Sequence, residues 1–335
     1  MTVSTEGRNR AVDIMRIAAS FFVLICHIPF PDPAALYTKA AARFAVPFFL
    51  MVTGWYLYRE NDQDALKTAR KFFFSAVRFT LFSLAFVCMM NVLNYIIMGL
   101  PPFGWLTDET SGLGSPEIRS EFLLHNYTLF LSPVLWYLFG LVYALAVYLV
   151  LVRFRLVRFA AWLILPLIGL NLYRGEWVGE PWYHQATWLF MSLPFLLAGG
   201  FLKAKGICRK VPALLSWLMI PAGILFTLVL EVPHFGTQIL YAGTLPVVFG
   251  IFTLCMNRPA GSRPGLLADF GRSCTPVIFV IHPSLDVFLK AVFPMPVAAW
   301  WGWAEPFLLF FLCSALAFVW VRCGRAVRKR FLRQA

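Results

Sequence analysis

The chain has 335 residues, 60% hydrophobic and only 13% charged, about half the charged fraction of an ordinary soluble protein. That balance excludes a soluble globular domain, and the apolar residues gather in runs of about 20, enough to cross a hydrocarbon core about 30 Å thick. The net charge of +13 does not point to nucleic acid, because Lys and Arg sit at the ends of apolar runs and form no single patch.

In chain order, the apolar runs predict about ten transmembrane helices, at 12–30, 40–58, 72–99, 128–152, 157–173, 186–202, 212–230, 237–256, 273–292 and 304–321. The first is too long, and too soon followed by others, for a cleaved signal peptide. Basic residues flank alternate runs: Arg8 and Arg10; Lys67, Arg70 and Lys71; Arg153, Arg155 and Arg158; Lys203, Lys205, Arg209 and Lys210; Arg258, Arg263 and Arg272. A terminal cluster of Arg322, Arg325, Arg328, Lys329, Arg330 and Arg333 completes the series. The intervening loops carry much of the acid, including Asp108, Glu109, Glu117, Glu121, Glu176, Glu180, Glu231 and Glu305. This alternation is the positive-inside pattern and puts both termini in the cytoplasm. The expectation is an all-α, polytopic membrane protein, with 1–335 as one integral membrane domain.

The longest exterior stretch, about 100–127, is rich in Pro, Gly and Ser and long enough to form a lid or an acceptor-binding surface. None of the seven cysteines falls in an exterior loop, where oxidation would favour pairing. No Cys-x-x-Cys or Cys/His metal spacing occurs, so no metal site is expected.

Within the first run, "VDIMRIAASFFVLICHIPF" (12–30), Asp13, Arg16 and His27 interrupt an apolar helix. Ionisable groups inside a span are costly and mark a functional site by default. Arg16 and His27 are eleven residues apart, which returns to within about 20° of one face. Asp13 lies three residues before Arg16, within carboxylate–guanidinium reach. The three form a stripe about 21 Å long, with Asp13 and Arg16 near the cytoplasm and His27 in the outer half. The plainer alternative is that Asp13 and Arg16 are interfacial anchors and His27 reaches outward before Pro29 and Pro31. A second histidine, His282, lies mid-span in "FGRSCTPVIFVIHPSLDVFL", where a structural bond to a neighbouring helix is the alternative. His125, His184 and His234 fall in exterior loops and carry weak individual signals.

Four segments together resemble the acyltransferase 3 family of integral membrane acyltransferases. "VDIMRIAASFFVLICHIPF" is similar to its first helix, and "RFAVPFFLMVTGWYLY" (43–58) to its second segment. "LWYLFGLVYAL" (135–145) resembles its Trp-aromatic-Leu segment, and "SCTPVIFVIHPSLD" (273–286) its Ser…His-Pro helix. The resemblance implies transfer of an acyl group, commonly acetyl, from cytoplasmic acetyl-CoA to a hydroxyl of an envelope or exported glycan. It points to the bacterial inner (plasma) membrane, with the lipid bilayer, acyl-CoA and a glycan as partners and no tightly bound cofactor. It makes His27 the catalytic histidine and Arg16 its partner. It places the donor-binding basic motif among Lys67, Arg70, Lys71 and Arg78, where this sequence has Lys67-x-x-Arg70 in place of Arg-x-x-Arg. Phe279 stands where a Tyr is usual.

Acyl transfer to a hydroxyl needs a base, and neutral imidazole titrates near working pH. His27 is expected to deprotonate the acceptor or carry the acyl group transiently, with Arg16 and Asp13 positioning the donor. Asn91, Asn94, Thr53 and Trp136 are candidate oxyanion donors by type, and His282 a candidate site-lining residue. The alternative in another class is a small-molecule carrier, for an amino acid for example, since intramembrane charges serve carriers equally well. A structural envelope component would leave the Arg16–His27 stripe and His282 without purpose.

Overall fold

The computed structural model describes residues 9–107, 115–129, 131–257, 265–293 and 300–334. Arg8, Asp108, Glu109, Arg258 and Arg263, and residues 108–114 of the long stretch expected to be exterior, lie outside the described residues. All regular structure among the described residues is helical.

In chain order come α1 (Arg10–His27), α2 (Ala34–Ala42), α3 (Ala45–Leu57), α4 (Asp62–Ile97), α5 (Pro116–His125), α6 (Leu135–Arg153) and α7 (Ile164–Glu176). Then follow α8 (Leu193–Ala204), α9 (Ala213–Phe226), α10 (Thr244–Met256), α11 (Leu266–Val292) and α12 (Trp301–Gln334). Seven stretches are long and apolar enough to cross a membrane: Ala34–Leu57, Asp62–Ile97, Leu135–Arg153, Val157–Glu176, Ala213–Phe235, Leu266–Val292 and Trp301–Val327. Trp188–Ala204 and Thr244–Met256 are shorter apolar helices at two further expected positions. The first expected span corresponds to α1, which carries Asp13, Arg16 and His27.

Local chemistry explains where these elements begin and end. The Asn9 side chain caps α1, accepting from Ala11 N (2.9 Å) and Val12 N (3.2 Å), and so satisfies amide groups that have no intrahelical partner. Pro29 and Pro31 follow its last turn and prevent continuation. Helix α4 starts ten residues before the expected 72, because Asn61 accepts from Gln63 N at 2.8 Å and Asp64 N at 3.4 Å. Asp62 and Asp64 add favourable charge to that first turn. Helix α10 starts seven residues after the expected 237. Residues 236–243 form a turn, in which the Tyr241 hydroxyl donates to Gly236 O (2.6 Å) and accepts from Gln238 N (3.0 Å).

Helices in lipid gain nothing from hiding apolar side chains from each other, so they associate where small residues let backbones touch. A Cβ on Gly54 would overlap Leu196 O, and one on Gly199 would overlap Met51 O, which fixes α3 against α8. A Cβ on Gly271 would overlap Asp13 O, which fixes α11 against α1. Further along, His27 of α1 meets His282 of α11. The two helices therefore run parallel. Asn9 Nδ2 donates to Cys255 O at 2.6 Å, tying the start of α1 to the end of α10.

Candidate active site

A cavity of about 510 Å³ opens at the His27 end of α1. Val23, Cys26 and His27 supply its α1 wall, at the i, i+3, i+4 spacing that presents one helix face. Lys39 in the last turn of α2 and Arg43 at the α2–α3 break form a second wall, and Trp136, Tyr137 and Phe279 a third. The remaining wall comes from two connections, through Glu180, Trp182 and Gln185 of one and Gln238 of the other. Its volume is that of a small-molecule site, and its mixture of aromatic, amide and charged groups is that of a site binding a polar ligand.

The His27 and His282 ring centres are 5.4 Å apart, with the planes at 47°. His282 is buried, and its Nδ1 lies 3.1 Å from Ile278 O. A carbonyl oxygen only accepts, so Nδ1 carries the proton. Nε2 is left as a bare acceptor, buried and without a partner. The Phe279 ring stands 6.3 Å from that of His282 and 5.2 Å from that of Tyr137. It closes one side of the histidine pair with hydrocarbon.

The cavity's charges are unequally matched. Arg174 Nη2 pairs with Glu180 Oε2 at 2.5 Å. Gln185 Nε2 donates to Glu180 O at 2.8 Å and to Gln238 Oε1 at 3.3 Å, joining the two connections. Arg43 Nε, by contrast, is buried without a partner. Neither Lys39 nor Arg43 has an ion pair or hydrogen bond among the described residues. Both charges nonetheless act on His27 and Cys26.

Asn126 fixes one wall from behind. It is buried in the left-handed conformation, φ 55°. Its Nδ2 donates to Trp136 O (3.1 Å) and Ala186 O (3.3 Å), and its Oδ1 accepts from Trp188 N (2.7 Å).

Arg16 and Asp13 form a partly buried ion pair, 3.0 Å, nearer the other end of α1. They do not line the cavity. Tyr137, which does, is within electrostatic reach of Arg16 and so links the two zones. Lys67, Arg70, Lys71 and Arg78 are exposed along α4, away from the cavity wall. Trp136 lines the cavity; Asn91, Asn94 and Thr53 do not. Asn91 Nδ2 holds Leu131 O (2.8 Å), Asn94 is buried, and Thr53 bonds back to Phe49 O (2.9 Å).

Lys39, Arg43, Tyr137, Glu180, Gln185 and Gln238 are site residues that sequence reasoning passed over. Lys39 immediately precedes the predicted run 40–58 and Arg43 falls in its first turn, where basic residues read as anchors. Their one signal is two cations four residues apart on the acid-rich side of the predicted topology. Two of the loop histidines also gather: His125 Nδ1 is 2.8 Å from Glu121 Oε2, and the rings of His125 and His184 are 5.9 Å apart. Among the described residues, no group of three or more His, Cys, Asp or Glu side chains is placed to hold a metal ion.

A family model described as an acyltransferase domain matches residues 9–323, a stretch that contains the cavity and both histidines. No curated protein and no solved structure matches the chain.

Proposed function

The chain belongs to the acyltransferase 3 family, is a membrane acyltransferase on that ground, and from this premise we propose the reaction, the donor, the acceptor and the roles of its residues. The donor is cytoplasmic acyl-CoA, in the first instance acetyl-CoA, and the acceptor is a hydroxyl of an envelope or exported glycan. About ten spans cross a bacterial inner membrane with both termini inside, which turns the cavity outward. The family supports acyl transfer, and nothing found supports the carrier reading.

The observation that carries the proposal is His27 on the cavity wall with His282 behind it, 5.4 Å between ring centres, and an unpartnered buried acceptor at His282 Nε2. In the reacting arrangement His282 Nε2 would take a hydrogen bond from one His27 N–H, which leaves the other His27 nitrogen as a lone pair for the cavity. That nitrogen takes the acceptor hydroxyl's proton as the oxygen attacks the thioester carbonyl. The tetrahedral oxyanion collapses, the C–S bond breaks, and the CoA thiolate leaves with the proton returned by His27. Arg16, held by Asp13, serves the donor end of the same helix. Lys67, Arg70, Lys71 and Arg78 meet the donor's phosphates, which paired cations bind well.

The test uses purified full-length protein with radiolabelled acetyl-CoA, alongside mass spectrometry of envelope glycans from cells with and without the gene. The expected result is acetyl label on glycan that requires the protein. A correctly inserted His27→Ala protein with full transfer activity would overturn the assignment of the base.

A further inference from the structure

We propose that the outward cavity selects an acceptor bearing a negative charge beside the reacting hydroxyl, and that Lys39 and Arg43 hold that charge. This inference rests on the acyl-transfer reading.

Cations placed in a partly buried wall are costly unless matched. The carboxylate at this wall, Glu180, is already taken by Arg174 at 2.5 Å. Lys39 and Arg43 have no partner among the described residues, and Arg43 Nε is both buried and orphaned. They are four residues apart, on the last turn of α2 and the residue after it, so both reach the same wall of the cavity. Their charges extend to His27, which puts a bound anion next to the proposed base. Around them, Trp136 and Trp182 offer flat apolar faces, and Gln185 and Gln238 offer amides. Aromatic faces with amide edges suit a sugar ring, and two unmatched cations suit a carboxylate or a phosphate. Either a uronic acid or a sugar phosphate, such as a lipid-linked precursor, supplies that chemistry.

The test measures binding by calorimetry to full-length protein in nanodiscs, with a uronic-acid disaccharide, a disaccharide 1-phosphate, the neutral disaccharide and coenzyme A as probes. At least one anionic sugar is expected to bind roughly tenfold or more tightly than the neutral one, as for a charge-assisted contact, and less so at high salt. Comparing carboxylate with phosphate identifies the source of the anion. Lys39→Gln and Arg43→Gln are each expected to remove most of the preference, and Arg43→Lys to retain it. Lys39 is half-buried near the surface, so Lys39→Gln reports even where Arg43→Gln fails to fold. Equal binding of neutral and anionic sugars, no binding of any sugar, or a preference that survives Lys39→Gln would overturn the proposal. So would an equal loss of coenzyme A affinity in the same variants, which would hand the cations to the donor. Failure of the acyl-transfer reading shows elsewhere, as wild-type protein that binds anionic sugar selectively but transfers no label.

Discussion

His27 and His282 lie on different helices, 255 residues apart in sequence, with their rings 5.4 Å apart, His27 on the cavity wall and His282 buried behind it. Because His282 Nδ1–H donates to Ile278 O, the two rings are not equivalent. His27 faces the cavity, whereas His282 touches it only through His27. His27→Ala is expected to lower kcat by about 10²–10⁴-fold, the usual worth of a positioned base. His282→Ala is expected to lower kcat less and to leave the KM for acyl-CoA unchanged. His282→Asn, whose amide oxygen is again an acceptor, should recover part of the loss. Steady-state kinetics on the three variants separates these outcomes.

The same two helices touch closely at Gly271. An added Cβ would overlap Asp13 O, and overpacking of this kind costs about 1–3 kcal/mol. Gly271→Ala should therefore lower the thermal midpoint in detergent and reduce transfer together, as α1 and α11 separate. Gly324→Ala, at a site with nothing within 4 Å, should leave both unchanged or raise the midpoint slightly.

Asn126→Ala removes three hydrogen bonds from buried partners, a loss of about 2–4 kcal/mol. Thermal unfolding should show it directly. Weaker acceptor binding should accompany it, because the Trp136 backbone and the segment leading to Trp188 are no longer joined.

Neutralising Lys67 and Arg70 together should raise the KM for acyl-CoA and reduce its dependence on salt, with the KM for the acceptor unchanged. These side chains are exposed, so their contribution is screened and grows at low ionic strength. Kinetics at two salt concentrations checks it.

The helical framework was legible because lipid demands long apolar runs, and the sequence displays them. The exceptions have local causes. The run before Thr244 is as apolar as a span, yet the Tyr241 hydroxyl and the Glu231 carboxylate hold its backbone as a turn, with Ala242 N at 2.6 Å from Glu231 Oε1. No hydropathy pattern reports a bond of that kind. In the site, His27 and His282 stood out because an ionisable group in an apolar run is rare. Lys39, Arg43 and Glu180 did not, since the first two sit at a helix end and Glu180 in a loop, where charge is ordinary. What makes them a site is that one carboxylate is matched and two cations are not, a relation visible only once the loops converge.

Arg16 and His27 share one uninterrupted helix, α1, so their separation along the axis is about 16 Å and no hinge can alter it. A carrier that is gripped near Arg16 must bring its own reach to deliver a group to His27. On the proposed mechanism the helix would act as a gauge, accepting donors by the length of their flexible arm. Acyl groups on thiols with a truncated arm should be refused by distance alone, however well their anionic end is held.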